Sequence, residues 1–217
     1  ASASLTNAAI IIGGDTNNGN FNNGTGDSAT DQWSFEESAS WVNLGTGPQS
    51  AQATRINPVA TRFDGSRNAV IAENAGRAFG MDTGYTIRNG DVFDLSYLWR
   101  DAFNWDDTND QVIVSLFTSE GDVFGIRNTL VSDSSTPSTS NNTYQSENRP
   151  GFFTASAAQD GKTLFVSIDS TDGNGAATGF ARLDNFELKV TSIPEPTSLT
   201  LGITALGLIA LSRRRSS

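Results

Sequence analysis

The stretch Asp-Val-Phe-Asp-Leu-Ser-Tyr-Leu-Trp, residues 91–99, decides the fold class of the chain. Large apolar side chains occupy alternate positions and share one face, namely Phe93, Leu95, Tyr97 and Trp99. Asp94 and Ser96 fall on the opposite face. Strict alternation is typical of a β-strand that buries one face and exposes the other. We therefore predict a strand over residues 91–99 with Trp99 in the core.

Further short strands precede and follow this stretch. The segment 111–117 is apolar on both faces, as in a central strand, and 163–168 and 180–190 also have strand character. Shorter segments of similar composition complete the set, namely 8–12, 32–35, 53–56, 69–72, 78–81, 123–126 and 152–155. Residues 132–148 are almost wholly polar and are predicted to form a long exposed loop. Roughly ten strands with turns rich in Gly, Asn and Asp predict an all-β domain, either a sandwich or a barrel.

Two motifs near the ends of this domain indicate one kind of sandwich. Near the start stands Asn18-Gly19-Asn20-Phe21-Asn22, and at the end stands Leu183-Asp184-Asn185-Phe186-Glu187-Leu188. Together they resemble the opening and closing motifs of the galactose-binding-like jelly roll and of the carbohydrate-binding modules built on it. The resemblance implies a jelly-roll β-sandwich over residues 1–191, in which the first and last strands meet.

The same resemblance implies a structural calcium ion where those strands meet. In that family an acidic residue of the closing motif holds the ion, and this residue matches Asp184. The family's opening Glu is replaced here by Asn22. Calcium takes about 6 to 8 oxygen ligands and gains from their negative charge, so a neutral ligand at position 22 weakens the predicted site.

Composition excludes several classes of function. The chain has no Cys and no His, which rules out disulfides, thiolate chemistry and the Ser-His-Asp and Cys-His catalytic layouts. A formal net charge of −10 argues against nucleic-acid binding through bulk electrostatics. Glycoside hydrolysis needs only a pair of carboxylates, and the acidic candidates are Glu36, Glu37, Glu73, Asp101 and Glu120. None lies in a recognisable motif, so we expect a protein without catalytic activity.

Carbohydrate binding relies on aromatic rings that stack on sugar faces, supported by polar side chains nearby. Trp105 is the leading candidate because it follows the predicted strand in a polar, acidic loop. Arg100 and Asp101 are its candidate polar neighbours. Further aromatic candidates are Trp41, Tyr85 and Tyr144.

The last part of the chain, residues 192–217, is built differently. The tripeptide Pro194-Glu195-Pro196 precedes an uncharged apolar run over 199–211, and Arg213, Arg214 and Arg215 follow that run. The prolines prevent a helix from continuing in from upstream, and the arginines are costly to move across a bilayer. A spanning helix needs about 20 apolar residues. The short apolar helix predicted here is therefore a processing or sorting segment and not an ordinary anchor.

This order of tripeptide, apolar run and arginine cluster resembles the PEP-CTERM sorting signal of exported bacterial proteins. The resemblance implies recognition by an exosortase, a membrane protease-transpeptidase, in a Gram-negative-type bacterium that makes exopolysaccharide. It also implies transient anchoring in the inner membrane by the C-terminal segment, and a final location at the cell surface or in the extracellular matrix. A secretory signal peptide is expected to have been removed ahead of Ala1.

These features predict a non-catalytic exported protein that is associated with exopolysaccharide and binds glycan. Two alternatives stay open. A purely structural matrix protein would self-associate without a small ligand, and a carboxylate-only enzyme would act on glycan. Saccharide binding, assembly with rising concentration, and turnover are the three observations that distinguish them.

Overall fold

The computed structural model describes residues 7–21, 40–45, 69–72, 78–102, 111–135, 144–171 and 180–192, with the backbone alone at 7, 69–72, 101, 102, 171 and 180. These residues form β-strands, which in chain order are β1 Asn7–Ile12, β2 Val42–Asn43, β3 Ala69–Ala72, β4 Ala78–Thr86, β5 Val92–Ala102, β6 Gln111–Ser119, β7 Arg127–Ser135, β8 Gln145–Thr154, β9 Thr163–Thr171 and β10 Phe180–Ser192. The described part of the chain contains no helix that is long and apolar enough to cross a membrane.

The strands form two antiparallel sheets. Sheet A has the order β1-β10-β5-β8, with β3 also paired to β10, and sheet B has the order β2-β4-β9-β6-β7. One edge of β10 pairs with β1 near Ser192 and with β3 near Phe180, while its other edge pairs with β5. The described residues are thus an all-β sandwich, as predicted, and their last strand lies in the middle of sheet A.

The core lies between the sheets and includes the side chains that the alternation predicted. Phe93, Leu95, Tyr97 and Trp99 are each at most 1% exposed. Their cluster also contains apolar side chains of β6 and β9, namely Val112, Val114, Leu116, Leu164, Val166 and Ile168. The register of β10 on β5 pairs Leu183 with Trp99 and Leu188 with Leu95. Because directly paired residues share a face, the apolar side chains of both strands point into the core.

The opening and closing motifs meet, as the jelly-roll resemblance implies. The Phe186 amide donates to the Gly19 carbonyl at 2.9 Å. A Cβ at position 19 would lie 2.3 Å from the Phe186 carbonyl oxygen, so only glycine permits this approach. Phe21 has a φ of 54°, and its buried ring lies beside Trp41 and Phe79.

Two segments differ from their predicted structure. The predicted strand 123–126 is part of a turn, because the Asp122 carboxylate accepts from the Phe124 amide at 2.9 Å and Gly121 has a φ of 98°. The predicted loop 132–148 is shorter than expected, because β7 extends to Ser135 and β8 begins at Gln145. The predicted strands 32–35 and 53–56 lie outside the described residues.

The two ends of the sandwich have different connections. At one end, here called the turn end, lie the connections 87–91, 120–126 and 155–162, together with Ser192. At the other, the loop end, lie the last residues of β5, β7 and β9. The connections 103–110, 136–143 and 172–179 follow those strands and lie outside the described residues.

Candidate functional site

Charged side chains gather on the outer face of sheet A at the loop end. Arg100 of β5 and Arg182 of β10 lie directly opposite each other. Arg100 follows the core residue Trp99, so it points away from the core, yet it is only 3% exposed. Its guanidinium carbon lies 5.2 Å from the centroid of the Tyr144 ring, which is a cation–π contact. We call Arg100, Tyr144, Arg182 and Asp184 the Arg100 cluster.

The four groups of this cluster act on one another electrostatically. The pKa of the Tyr144 hydroxyl is raised to about 12, because burial and, less strongly, Asp184 raise it by more than Arg100 and Arg182 lower it. Asp184 is 0% exposed, and one of its carboxylate oxygens accepts from the Asn185 amide at 2.7 Å. Among the described residues, two guanidinium groups thus act on the same buried hydroxyl as the Asp184 carboxylate does.

A shallow groove lies on the same face, nearer the turn end. Its volume is about 190 Å³, and polar side chains of three adjacent strands line it, namely Asp94, Ser96, Asn148, Glu187 and Lys189, with Pro150 at its edge. The Asp94 carboxylate accepts from the Gly151 amide, and Glu187 forms an ion pair with Lys189 at 2.6 Å. We call this feature the sheet A groove. Carboxylates, an amide and an ammonium group all reach the surface within it.

A polar network closes the side of the sandwich between the edge strands β7 and β8. The Tyr97 hydroxyl donates to Asp133 at 3.1 Å and lies 2.6 Å from the Ser135 hydroxyl. Arg149 bridges Asp133 and Glu147, with both ion pairs at 2.8 Å. The Trp99 indole N–H donates to Glu147 at 3.1 Å. We call this network the polar seam.

Burial and hydrogen bonding shift the pKa of two residues in the polar seam, Tyr97 and Arg149. Burial raises the pKa of the Tyr97 hydroxyl well above its ordinary value, so Tyr97 is a neutral donor at physiological pH. The hydrogen bond to Asp133 raises the pKa of Arg149. The seam therefore joins two carboxylates through one guanidinium and leaves no described proton acceptor free between them. That arrangement stabilises the closure of the sandwich.

A groove larger than the sheet A groove lies at the turn end. Its volume is about 420 Å³, and its lining consists of Thr118, Ser119, Glu120, Ile126, Asn128 and Lys162. Ile126 is 80% exposed, and Phe124 in the same turn is 66% exposed. This end thus combines polar groups with large apolar side chains that the fold leaves uncovered.

The structure separates the residues predicted to bind carbohydrate. Arg100 belongs to the Arg100 cluster, and Tyr144, a further aromatic candidate, packs against it. Asp101 pairs with Ala181 on the adjacent strand through its backbone. Tyr85 lies at the turn end, where its hydroxyl donates to Asp91 at 2.8 Å and its ring packs on Phe93. Burial raises the pKa of Tyr85.

The structure corrects the prediction that was made for Trp41. It was predicted to stack on sugar, but it is 1% exposed and its indole N–H donates to the Asn18 carbonyl at 3.2 Å. Its ring is enclosed by the rings of Phe21, Phe79 and Phe186. A buried ring offers no face to a saccharide, so Trp41 is a core residue. Trp105 and all residues of the C-terminal motif, Pro194, Glu195, Pro196, Arg213, Arg214 and Arg215, lie outside the described residues.

The predicted calcium site is described only in part. Asp184 lies in the Arg100 cluster, and Asn22 lies outside the described residues. Among the residues that are described, no group of three or more acidic side chains is placed to hold a metal ion. The described surroundings of Asp184 contain two arginines and do not supply the oxygen ligands that calcium needs. Calcium binding stays a prediction.

Several residues of these sites were not predicted from the sequence. The polar seam uses Asp133, Glu147 and Arg149, and the sheet A groove uses Asn148 and Glu187. For the residues of β8, the sequence signal is an alternation of polar residues, in which Gln145, Glu147 and Arg149 pair with the core residues of β5 and so share the inward face. A wholly polar alternation resembles a loop, and that is how this segment was interpreted.

Comparisons with known proteins identify the fold. No protein-family model matches the chain, and no curated protein matches it. Among solved structures, an apo cyclase from Fischerella sp. is similar with a TM-score of 0.59 and 13% identity, covering 89% of this chain and 100% of that one. The CBM22-1 xylan-binding domain of Paenibacillus barcinonensis Xyn10C has a TM-score of 0.50 and 12% identity, covering 88% and 99%. At such identities the likeness shows the fold alone, a β-sandwich of the kind found in carbohydrate-binding modules.

Proposed function

We propose that this chain is a non-catalytic exported protein that binds glycan on the outer face of sheet A. The sheet A groove carries the proposal, because it gathers hydrogen-bonding side chains of β5, β8 and β10 into one surface depression. Sugar hydroxyl groups are both donors and acceptors, and a pocket with carboxylate, amide and ammonium groups pairs with both. The likeness to a xylan-binding domain supports the proposal at the level of fold.

The charge of the chain restricts the class of glycan. With a net charge of −10, the protein repels polyanions, so its ligand is a neutral saccharide segment. The Arg100–Tyr144 pair lies on the same outer face, toward the loop end. A linear saccharide lying along β5 from the sheet A groove would approach this pair and the loop that contains Trp105. Loss of binding in Trp105→Ala is therefore expected alongside loss in groove variants.

Export and sorting form the second part of the proposal. The C-terminal tripeptide, apolar run and arginine cluster support recognition by an exosortase, transient anchoring in the inner membrane and delivery to the cell surface or the exopolysaccharide matrix. The experiment is expression of the full chain in a PEP-CTERM host, with and without its exosortase gene. Accumulation of an unprocessed, membrane-associated form in the deletion strain is expected. Identical processing in both strains would contradict this part.

Glycan binding is tested with a glycan array of the purified chain in the presence of calcium and of a chelator. Asn148→Ala and Glu187→Gln remove groups of the sheet A groove, and Ser134→Ala is the matched control because Ser134 is exposed on sheet B. We expect the two groove variants to weaken binding by about tenfold each, the effect of losing one hydrogen bond of a charged or amide group. Binding that both variants leave unchanged would contradict the sheet A site, and a blank array would contradict glycan binding.

A second candidate is a structural matrix protein that self-associates. The observation in its favour is the edge strand β7, which has no partner on its outer edge among the described strands. Unpaired strand edges template pairing with another chain. Sedimentation velocity over a range of concentrations distinguishes the candidates, because assembly without saccharide binding supports the structural function alone. Turnover of a glycan that is lost on replacing one carboxylate would instead support an enzyme.

A further inference from the structure

Two large apolar side chains project from the turn end in a fixed position. Phe124 and Ile126 are 66% and 80% exposed. The connection 120–126 that carries them is held down by Val123, which is buried against Phe117 and Phe165. The Gly125 amide also donates to the Asp122 carbonyl at 3.1 Å. These contacts present the two side chains to the outside and prevent them from folding back onto the domain.

The same end is the point where the chain leaves the domain. The Ser192 hydroxyl donates to Asp91 at 2.8 Å and lies 3.2 Å from the Tyr85 hydroxyl. The connection 87–91, which contains Asp91, is joined to the connection 155–162, because the Ile87 amide donates to the Lys162 carbonyl at 2.9 Å. Lys162 and Ile126 line the same groove. A continuous set of contacts therefore links the exit point to the exposed apolar pair.

The C-terminal segment keeps this end close to any bilayer that it enters. Residues 193–198 separate Ser192 from the apolar run over 199–211. Even fully extended, these residues span at most about 21 Å. An uncharged apolar run partitions into a bilayer, and the arginines beyond it remain on the far side. The turn end, and not the loop end, therefore faces the bilayer.

We propose that the turn end docks on the bilayer surface while the C-terminal segment is inserted, with Phe124 and Ile126 in the interfacial layer. This inference rests on the proposed sorting function, because it requires insertion of residues 199–211. Docking would hold the Pro194-Glu195-Pro196 tripeptide at the membrane surface, where a membrane-embedded processing enzyme acts.

The charges at this end decide which force drives docking. Glu120, Asp122 and Asp160 are exposed there, against Arg88 and Lys162. Arg127 is neutralised by its ion pair with Asp169 at 3.1 Å. Because carboxylates outnumber these cations among the described residues of the turn end, we expect anionic lipid not to attract this surface. Docking depends on apolar contact, and it is expected on zwitterionic bilayers and at high salt.

The absence of cysteine allows the test by single labels on the full chain. An environment-sensitive fluorophore is attached at Ile126→Cys in the turn, at Ala205→Cys in the apolar run, or at Ser134→Cys near the loop end. Each protein is reconstituted into phosphatidylcholine vesicles that carry nitroxide lipids. We expect quenching at positions 205 and 126 and none at 134. Adding Phe124→Asp is expected to reduce the docked fraction at position 126 by about tenfold, since an apolar contact is replaced by a charge.

Each outcome has one meaning. Quenching at 205 without quenching at 126 overturns the docking and leaves the sorting segment intact. No quenching at 205 overturns the premise that the segment inserts. Quenching at 126 that Phe124→Asp leaves unchanged overturns the role of the apolar pair. A fluorescence change at 126 that appears without vesicles and grows with protein concentration assigns the surface to a second copy of the chain and overturns docking.

Discussion

The two long sides of the sandwich are closed by different chemistry. Near β2 and β4 the gap between the sheets is filled by rings, with the Trp41 centroid 5.4 Å from Phe21, 5.3 Å from Phe79 and 5.5 Å from Phe186. Between β7 and β8 the polar seam fills the corresponding gap with hydrogen bonds and ion pairs. The side closed by rings gains stability from apolar burial, which does not depend on protonation and is not weakened by electrostatic screening. The seam depends on protonation state and on every partner being present.

The largest expected loss of stability is on the side of the sandwich that is closed by the ring of Trp41 and its aromatic neighbours. Trp41→Ala removes a buried ring that touches both sheets, and we expect it to lower the free energy of unfolding by about 3–5 kcal/mol. Urea unfolding followed by circular dichroism measures this change. Trp41→Phe keeps most of the contacts and serves as the control with a smaller loss. A loss below that of Tyr97→Phe would reverse the order of the two sides.

The approach of the opening motif to β10 gives the second prediction. Gly19→Ala places a Cβ 2.3 Å from the Phe186 carbonyl oxygen, so the loop must move away from the strand. We expect a loss of about 3 kcal/mol, the upper range for overpacking. Gly14→Ala is the matched control, because its φ is 52° but no atom lies within 4 Å of the new Cβ. Backbone strain alone costs about 1 kcal/mol there, and equal losses in both variants would contradict the close approach.

Within the polar seam, the hydroxyl of Tyr97 is the most important single group. Tyr97→Phe keeps the ring in the core but removes the contacts to Asp133 and Ser135. Leaving buried polar groups without a partner costs about 1–3 kcal/mol. Thermal unfolding compared with Tyr85→Phe, whose hydroxyl is only half-buried, measures the difference. If the Tyr97 variant were as stable as the wild type, the seam would not contribute to closure.

Alkaline pH is expected to reduce the stability that the polar seam contributes, but not the stability that the buried rings contribute. Burial raises the pKa of Tyr97, so the unfolded chain releases this proton at lower pH than the folded protein does. The stabilisation is complete below pH about 10 and is lost above it, with a slope of up to about 1.4 kcal/mol per pH unit for one tyrosine. Urea titrations across this range measure the slope. The slope should become shallower in Tyr97→Phe, where Tyr85 and Tyr144 still contribute to it. It should stay unchanged in Trp41→Phe.

The smallest effect is expected at the outer part of the seam. Arg149 has a side chain 37% exposed, and its ion pairs with Asp133 and Glu147 are partly in water. Arg149→Gln is expected to cost less than about 1 kcal/mol, and the cost should shrink with added salt. A larger loss that salt does not reduce would mean that Arg149 belongs energetically to the core.

The parts of the fold that could be predicted are those whose sequence has a clear pattern of apolar residues. Alternation over 91–99 indicated both the strand and its buried face, and the motifs around Gly19 and Phe186 indicated that the chain ends meet. The strands β7 and β8 were partly missed, because their inward side chains near the seam are polar and pair with each other across the sandwich. The periodicity of apolar residues in one sequence indicates apolar burial, but it does not indicate pairing between polar side chains of different strands.

The candidate sites were less predictable, for a related reason. Arg100 was selected as a polar neighbour of Trp105, which lies outside the described residues, and the structure shows Arg100 packed on Tyr144, a residue far from it in sequence. Trp41 was one of the aromatic candidates for carbohydrate binding, but Phe79 and Phe186 bury it from distant strands. Contacts between strands that are far apart in sequence cannot be deduced from the residues that flank a given position.

The position of β10 has a consequence for the order in which the domain can fold. Among the described strands β10 is the last to be synthesised, yet β1, β3 and β5 all pair with it. Sheet A therefore cannot be completed until residues 180–192 are available to the rest of the chain. If the chain is exported N-terminus first, as we propose, sheet A closes only after residues 180–192 have emerged from the membrane. Completion of the sheet would then coincide with the approach of the apolar run over 199–211 to the membrane, and folding of the domain would set the moment at which that segment becomes available for processing.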